Sequence, residues 1–221
     1  MHNPLLEQFV HVYKKYFGDF ADFVIDVGTR DGEDAEFLRS SLNAKHVIAI
    51  DANPLAIEET TLRYPEFTII ESAISNYDGT TKFVQIISDK EDEAGSSSIE
   101  NFSFFEGATY NTIEVPVKKM STIIENLGLQ QNIIDVIKVD IEGYTHEFLE
   151  GLGSYINNVK IFHLETETFY RHFQHKTNNH IINFMTNAGF LLSNVQYQWG
   201  EGIQDQIWIN PRYITSYGEG S

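Results

Sequence analysis

Acids and glycines in this chain recur at one kind of place, the downstream end of an apolar run. Phe23-Val24-Ile25-Asp26-Val27 breaks into Gly28-Thr29-Arg30-Asp31-Gly32, and His46 to Ile50 ends on Asp51. Ile133 to Val139 delivers Asp140 and Glu142, and Val159 to Leu164 delivers Glu165 and Glu167. A strand that breaks at two glycines before a helix start lets a ligand lie against bare backbone. The dinucleotide fingerprint needs Gly-x-Gly-x-x-Gly, and the middle glycine is missing. Asp26 and Asp31 also suit an anionic ligand poorly, so a ligand meeting this loop is expected to be neutral or cationic. Asp51, ~20 residues beyond the loop, stands where α/β nucleotide folds hold both ribose hydroxyls.

Positioning these residues requires parallel strands whose carboxyl ends share one edge, because open α/β sheets bind ligands there. Apolar residues from Leu5 to Phe17 recur every three to four positions, which predicts an amphipathic helix covering a sheet edge or the ligand site. Helices are also predicted over Glu33–Ser41, from Asn53-Pro54 onward, over Thr122–Leu127 capped by Ser121, over Tyr144–Leu149 and over Asn178–Ala188. Phe67–Ile70 reads as a third strand, and the following Ala73 and Ile74 could flank a bound base. Thr81–Ile87 reads as a strand outside the simple alternation, and Phe190–Tyr197 with Gln204–Ile209 as a closing antiparallel pair. The segment 88–110, with Gly95-Ser96-Ser97-Ser98 and then Phe102, Phe104 and Phe105, is the longest loop and a candidate lid. His163 lies inside a strand and reads as a satisfied core histidine. His172, His175 and His180 lack a distinctive zinc spacing.

A chain of 221 residues is expected to form one domain over 1–221, with an N-terminal helix in 1–18 and a frayed tail at 212–221. Fifteen Lys and Arg against 32 Asp and Glu give a formal charge of -17, which disfavours nucleic acid as a partner. The lack of cysteine excludes disulfides and thiolate metal sites and fits a reducing cytoplasm, the expected location. No apolar run approaches the ~20 residues of a membrane span, and Met1-His2-Asn3-Pro4 lacks the pattern of a signal peptide. Oligomeric state is not readable from these features.

Three blocks, Ile25 to Gly32, Ile48 to Pro54, and Ile137-Lys138-Val139-Asp140-Ile141-Glu142-Gly143 with Glu147, Leu149 and Gly151, resemble the FkbM-type family of S-adenosylmethionine-dependent methyltransferases. The likeness runs from about Asp22 to Ile209, and Val115-Pro116-Val117 and Ser97-Ser98 also match the family's habit. It implies a Rossmann-like class I methyltransferase, an α/β fold with a seven-stranded, mostly parallel sheet, helices on both faces and an antiparallel last strand. It implies S-adenosyl-L-methionine as cofactor, bound through Asp26, Gly28, Arg30, Asp31, Gly32, Asp51, Ala52, Ala73, Ile74, Ser97 and Asp140. The implied reaction is O-methylation of a sugar or small natural product. Thr29-Arg30-Asp31 depart from the usual Ala-Asn-x of the loop, and Thr145 and His146 stand where the family tends to show an acid and an apolar residue.

Methyl transfer to a hydroxyl needs an in-line acceptor and a place for its proton. Asp140 leads the candidates, followed by Glu142, Glu165 and His146. Converging carboxylates could also hold Mg²⁺, but hydrogen bonding to loop amides or to the cofactor's amino group is the preferred reading, so no metal is expected. A ribose 2'-O-methyltransferase acting on RNA through a Lys-Asp-Lys-Glu set is the alternative enzyme, suggested by Lys138 and Glu167. A non-catalytic cofactor-binding module is the alternative from another class.

Overall fold

The structure is a computed structural model, and it describes residues 4–88, 97–99, 106–168, 176–197 and 202–215. Five parallel strands form the centre of the larger sheet. They are β1 (Phe23–Val27), β2 (His46–Asp51), β3 (Thr68–Glu71), β7 (Ile134–Val139) and β8 (Val159–Glu167). At the far side β10 (Ile203–Ile209) runs antiparallel between β8 and β9 (Leu191–Tyr197), which gives the order β3-β2-β1-β7-β8-β10-β9. The predicted seven-stranded sheet with its antiparallel last strand is therefore present. The strands β4 (Ala73–Ser75), β5 (Gly79–Ile87) and β6 (Thr109–Lys119) form a second sheet of order β4-β6-β5 that the sequence does not disclose. It shares the buried residues Ala52, Ala73, Phe83, Val115 and Val117.

The helices are α1 (Pro4–Phe17), α2 (Glu33–Ser41), α3 (Pro54–Arg63), α4 (Met120–Asn126), α5 (Thr145–Leu152) and α6 (Asn178–Asn187). Strand alternation explains why both faces of the sheet are covered. Ile25, Ile137, Phe162 and Trp208 pack with Ile123, Phe148 and Met185 of α4, α5 and α6. Val24, Val136, Ile161 and Ile207 pack on the other face with Phe9 and Tyr13 of α1 and Leu38 of α2. Helix α1 thus lies on a sheet face rather than over an edge or the ligand site. Its Tyr13 hydroxyl donates to Asp135 Oδ1 at 3.0 Å, and Asp135 Oδ2 accepts the amides of Asp22 and Phe23 at 2.7 and 3.1 Å.

Helix α4 starts at Met120, earlier than predicted, and Ser121 does not cap it. A non-local residue ties this end down instead: Asp78 accepts the Lys119 amide at 2.8 Å and the Thr122 hydroxyl at 3.0 Å. Asn53 does cap α3, accepting the Leu55 amide at 3.1 Å, and Pro54 occupies the first turn. No helix among the described residues is long and apolar enough to cross a membrane.

Candidate active site

The chain runs outward from β1 to β3 and then returns to β7, so the carboxyl ends of β1 and β7 flank a switch in direction, the usual ligand position in such sheets. The glycine loop closes this edge by touching protein. Gly28 adopts φ +81, and its amide donates to the Ile50 carbonyl at 2.8 Å. A Cβ on Gly28 would stand 1.7 Å from the Asp140 carbonyl oxygen, while one on Gly32 would meet Tyr64 and Thr60 side chains at 2.7 and 2.9 Å. These glycines therefore let β7 and α3 approach the loop, a close packing within the protein that the sequence does not disclose.

Asp51 fits its predicted position. Its Oδ2 accepts the Arg30 amide at 2.9 Å and its Oδ1 the Asn53 amide at 2.8 Å, and burial still pushes its pKa up to about 6. The half-buried carboxylate has lone pairs beyond those two bonds with which to receive ribose hydroxyls. Arg30 sits at φ +52 with its guanidinium 3.7 Å from Asp31, half exposed. Asp31 Oδ1 accepts the Glu33 amide at 3.1 Å, holding the start of α2.

Asp26 was expected at the cofactor, but its side chain is 0% exposed. It lies beneath the loop, where Thr29 Oγ1 donates to it at 2.9 Å and Lys138 Nζ stands 3.4 Å away. Burial raises its pKa to about 6 even against the pull of Lys138. Ala73 and Ile74 stand on a strand rather than in a loop. They form strand β4, paired with Val117 and Lys118, and the Ile74 side chain belongs to the core. Ala52 is buried in the small sheet's cluster. The Ser97 hydroxyl accepts the Ile86 amide at 2.9 Å, and Ser98 bridges Val84, so this part of the candidate lid is strapped to β5. Phe102, Phe104, Phe105, His172 and His175 lie outside the described residues.

Asp140 stands at the mouth, its side chain 38% exposed, with its amide donating to the Val27 carbonyl at 2.9 Å. Glu165 is buried at the end of β8, opposite Asp205 of β10. Burial and then the charges of Asp140, Glu142 and Asp205 push its pKa well up, so it holds a proton more readily than an exposed acid. Glu142 adopts φ +48 in the turn to α5, and the Thr145 hydroxyl donates to the Glu165 carbonyl at 2.7 Å. His146 packs in the helix layer, its Nδ1 3.7 Å from Glu150 and its ring edge-on to His180 and Phe184. No group of three or more His, Cys, Asp or Glu able to hold a metal occurs among the described residues.

Two residues were misjudged from sequence. Lys138 carries no role in the favoured sequence reading, yet its buried ammonium lies 3.2 Å from Asp34 and 3.6 Å from Asp140 as well as beside Asp26. A lysine between apolar Ile137 and Val139 of a buried strand is the available signal. His163, its register neighbour on β8, is not a satisfied core residue: neither ring nitrogen has a hydrogen-bond partner among the described residues. Its ring stands edge-on to Phe9 at 5.3 Å, and burial, with Lys138 nearby, drops its pKa to about 3.

The sequence profile of the methyltransferase FkbM domain matches residues 26–192. A comparison with curated proteins gave no match. Among solved structures, M. capricolum TrmK in complex with the cofactor product S-adenosyl-homocysteine is similar at a TM-score of 0.52 and 12% identity, over 99% of this chain and 73% of that one. A Streptococcus mutans protein in complex with the same product is similar at 0.51 and 10%, over 95% and 100%. An rRNA methylase from Streptococcus thermophilus is similar at 0.50 and 11%, over 95% and 98%. At these identities the likeness is one of fold.

Proposed function

The chain belongs to the methyltransferase FkbM domain family, and on that premise we propose that it is a single-domain S-adenosylmethionine-dependent O-methyltransferase acting on a hydroxyl of a sugar or small natural product. The observation that carries this reading is the convergence of Asp51, the glycine loop and Asp140 on the switch-point edge. The donor set fits the cofactor. Asp51 is a half-buried diol acceptor, and Asp26, Asp34 and Asp140 around a single Lys138 leave an excess of negative charge that favours a cation.

When bound, S-adenosylmethionine supplies an electrophilic methyl on a sulfonium. Asp51 would hold the ribose, and Arg30 is the guanidinium available to the amino-acid carboxylate. Asp140, the exposed acid of the edge, would orient the acceptor hydroxyl and take its proton on Oδ1 or Oδ2. Glu165, buried beside it, would hold a proton, with Glu142 shaping the turn above. An acceptor with the charge of a polynucleotide meets a protein of net charge -17, which supports the small hydroxyl acceptor over RNA.

Calorimetric titration with S-adenosylmethionine, followed by labelled methyl transfer to a panel of sugars, hydroxylated natural products and RNA, tests this reading. Saturable binding and label on a small hydroxyl compound are expected. An absence of binding would reject the cofactor assignment, and label confined to RNA would reject the acceptor assignment.

A further inference from the structure

One ammonium ties three elements together at the edge of the sheet. Lys138 Nζ lies 3.4 Å from Asp26 Oδ1 on β1, 3.2 Å from Asp34 Oδ2 in the first turn of α2, and 3.6 Å from Asp140 Oδ2 beyond β7. Lys138 and Asp26 are closed off, with side chains 4% and 0% exposed, whereas Asp34 and Asp140 are 32% and 38% exposed and open toward solvent. Stability alone explains this arrangement poorly, because replacing buried ion pairs by packed apolar residues is often neutral or favourable. The neighbouring positions Val136, Ile137 and Val139 show that apolar side chains fill this strand readily.

The loop after β1 is already held against β7 by the Gly28 approach to the Asp140 carbonyl. Lys138 adds the third side, joining the helix that follows the loop to the acid that follows β7. We propose that Lys138 is a positioning residue for the cofactor: through Asp34 and Asp140 it holds the glycine loop and the end of β7 as one unit around the amino-acid end of S-adenosylmethionine. Asp51 serves the ribose end and has no bond to Lys138. The inference rests on the cofactor assignment above, and it predicts that the two ends of the cofactor respond differently to its loss.

The test compares S-adenosylmethionine with 5'-methylthioadenosine, which keeps the adenosine and lacks the amino acid and the sulfonium charge. S-adenosylhomocysteine, with the amino acid and a neutral sulfur, is expected to follow S-adenosylmethionine; its following 5'-methylthioadenosine instead would assign the effect to charge alone and overturn the proposal. In Lys138→Met, calorimetry is expected to show S-adenosylmethionine weakened about tenfold and 5'-methylthioadenosine changed by less than about twofold, an uneven loss of the size one mispositioned charge contact gives. Equal weakening of both ligands would mean that Lys138 only supports the fold, and unchanged S-adenosylmethionine affinity would mean that it positions nothing; either result overturns the proposal. Should Lys138→Met fail to fold because Asp26 is left without its cation, Asp26→Asn combined with Lys138→Met removes the orphaned acid, and the same comparison decides. Asp34→Asn, at a partly exposed position, cuts only the tie to α2. It is expected to show the same uneven loss at about threefold, and equal or absent loss there also counts against the proposal. Failure of wild-type protein to bind either ligand would instead reject the cofactor assignment.

Discussion

Substitution of Gly28 by alanine isolates the contact on which the whole edge closes. A non-glycine residue at φ +81 costs about 1–2 kcal/mol in backbone strain. The added Cβ would lie 1.7 Å from the Asp140 carbonyl oxygen, a backbone atom that cannot rotate aside, so the loop and the end of β7 must separate. Separation threatens the Gly28 amide bond to Ile50 at 2.8 Å and the Asp140 amide bond to Val27 at 2.9 Å, each worth about 1 kcal/mol. The expected loss is therefore about 3–4 kcal/mol, or roughly a 10 °C fall in Tm for a chain of this length. Gly18 supplies an internal control: its φ is +92, and a Cβ there meets nothing within 4 Å. Gly18→Ala should show the backbone cost alone, about 1–2 kcal/mol. Chemical denaturation of both variants measures the difference. If Gly28→Ala is no more destabilised than Gly18→Ala, the close approach of loop and β7 is not what the glycine serves.

Three further outcomes are expected. Asp51→Asn should weaken S-adenosylmethionine and 5'-methylthioadenosine alike, about tenfold or ~1.4 kcal/mol by calorimetry; a loss confined to S-adenosylmethionine would move Asp51 away from the ribose. Asp140→Asn should retain its Tm within a few degrees while turnover on the acceptor found by screening falls about a hundredfold; wild-type turnover would reject its role as proton acceptor. His163→Phe should gain stability over wild type as pH falls. The folded-state pKa of about 3 lies below the ordinary histidine value, so the neutral ring's stability is fully present above that ordinary value and is lost as pH falls through it toward 3. Within that window the gain should grow by up to about 1.4 kcal/mol per pH unit. Urea denaturation at pH 7.5, 6 and 5 checks this, and parallel curves for the two proteins would refute it.

The legible parts of the fold and site were those with a local cause. Apolar runs ending in Asp51 and Asp140 could be read because a strand's end is marked by its own sequence, and Asn53-Pro54 announced α3 by cap chemistry. The start of α4 is not legible, since the residue that ties it down is Asp78 on a distant turn. The second sheet was missed because Ala73–Ser75 is three residues long and becomes a strand only by pairing with β6. Gly28 and Gly32 stand out in the sequence, but the close contacts they permit, with Asp140, Thr60 and Tyr64, involve residues that only the fold brings near. Asp26 and Lys138 stand 112 positions apart in sequence order, and their contact follows from the pairing of β1 with β7 in register.

That register also explains why the edge prefers a cation. Asp26 pairs with Lys138 and Lys138 with His163, so the side chains of these three neighbours share the face covered by α1 and α2. Two residues further along, the same alternation puts Asp140 and Glu165 on that face at the ends of β7 and β8, with Asp205 opposite Glu165. Asp26, Asp34 and Asp140 thus outnumber the one ammonium, and His163 stays neutral. Burial keeps water from Asp26 and Lys138, while Asp34 and Asp140 are partly screened at the mouth. A sulfonium is therefore favoured at the edge by groups that no conformational change of the surface can remove. A phosphate-rich acceptor would meet opposing charge twice, first from the protein's net charge of -17 and again from the carboxylates at the edge. A compact neutral hydroxyl compound meets neither penalty, and this electrostatic asymmetry is the physical argument behind the small-molecule acceptor proposed above.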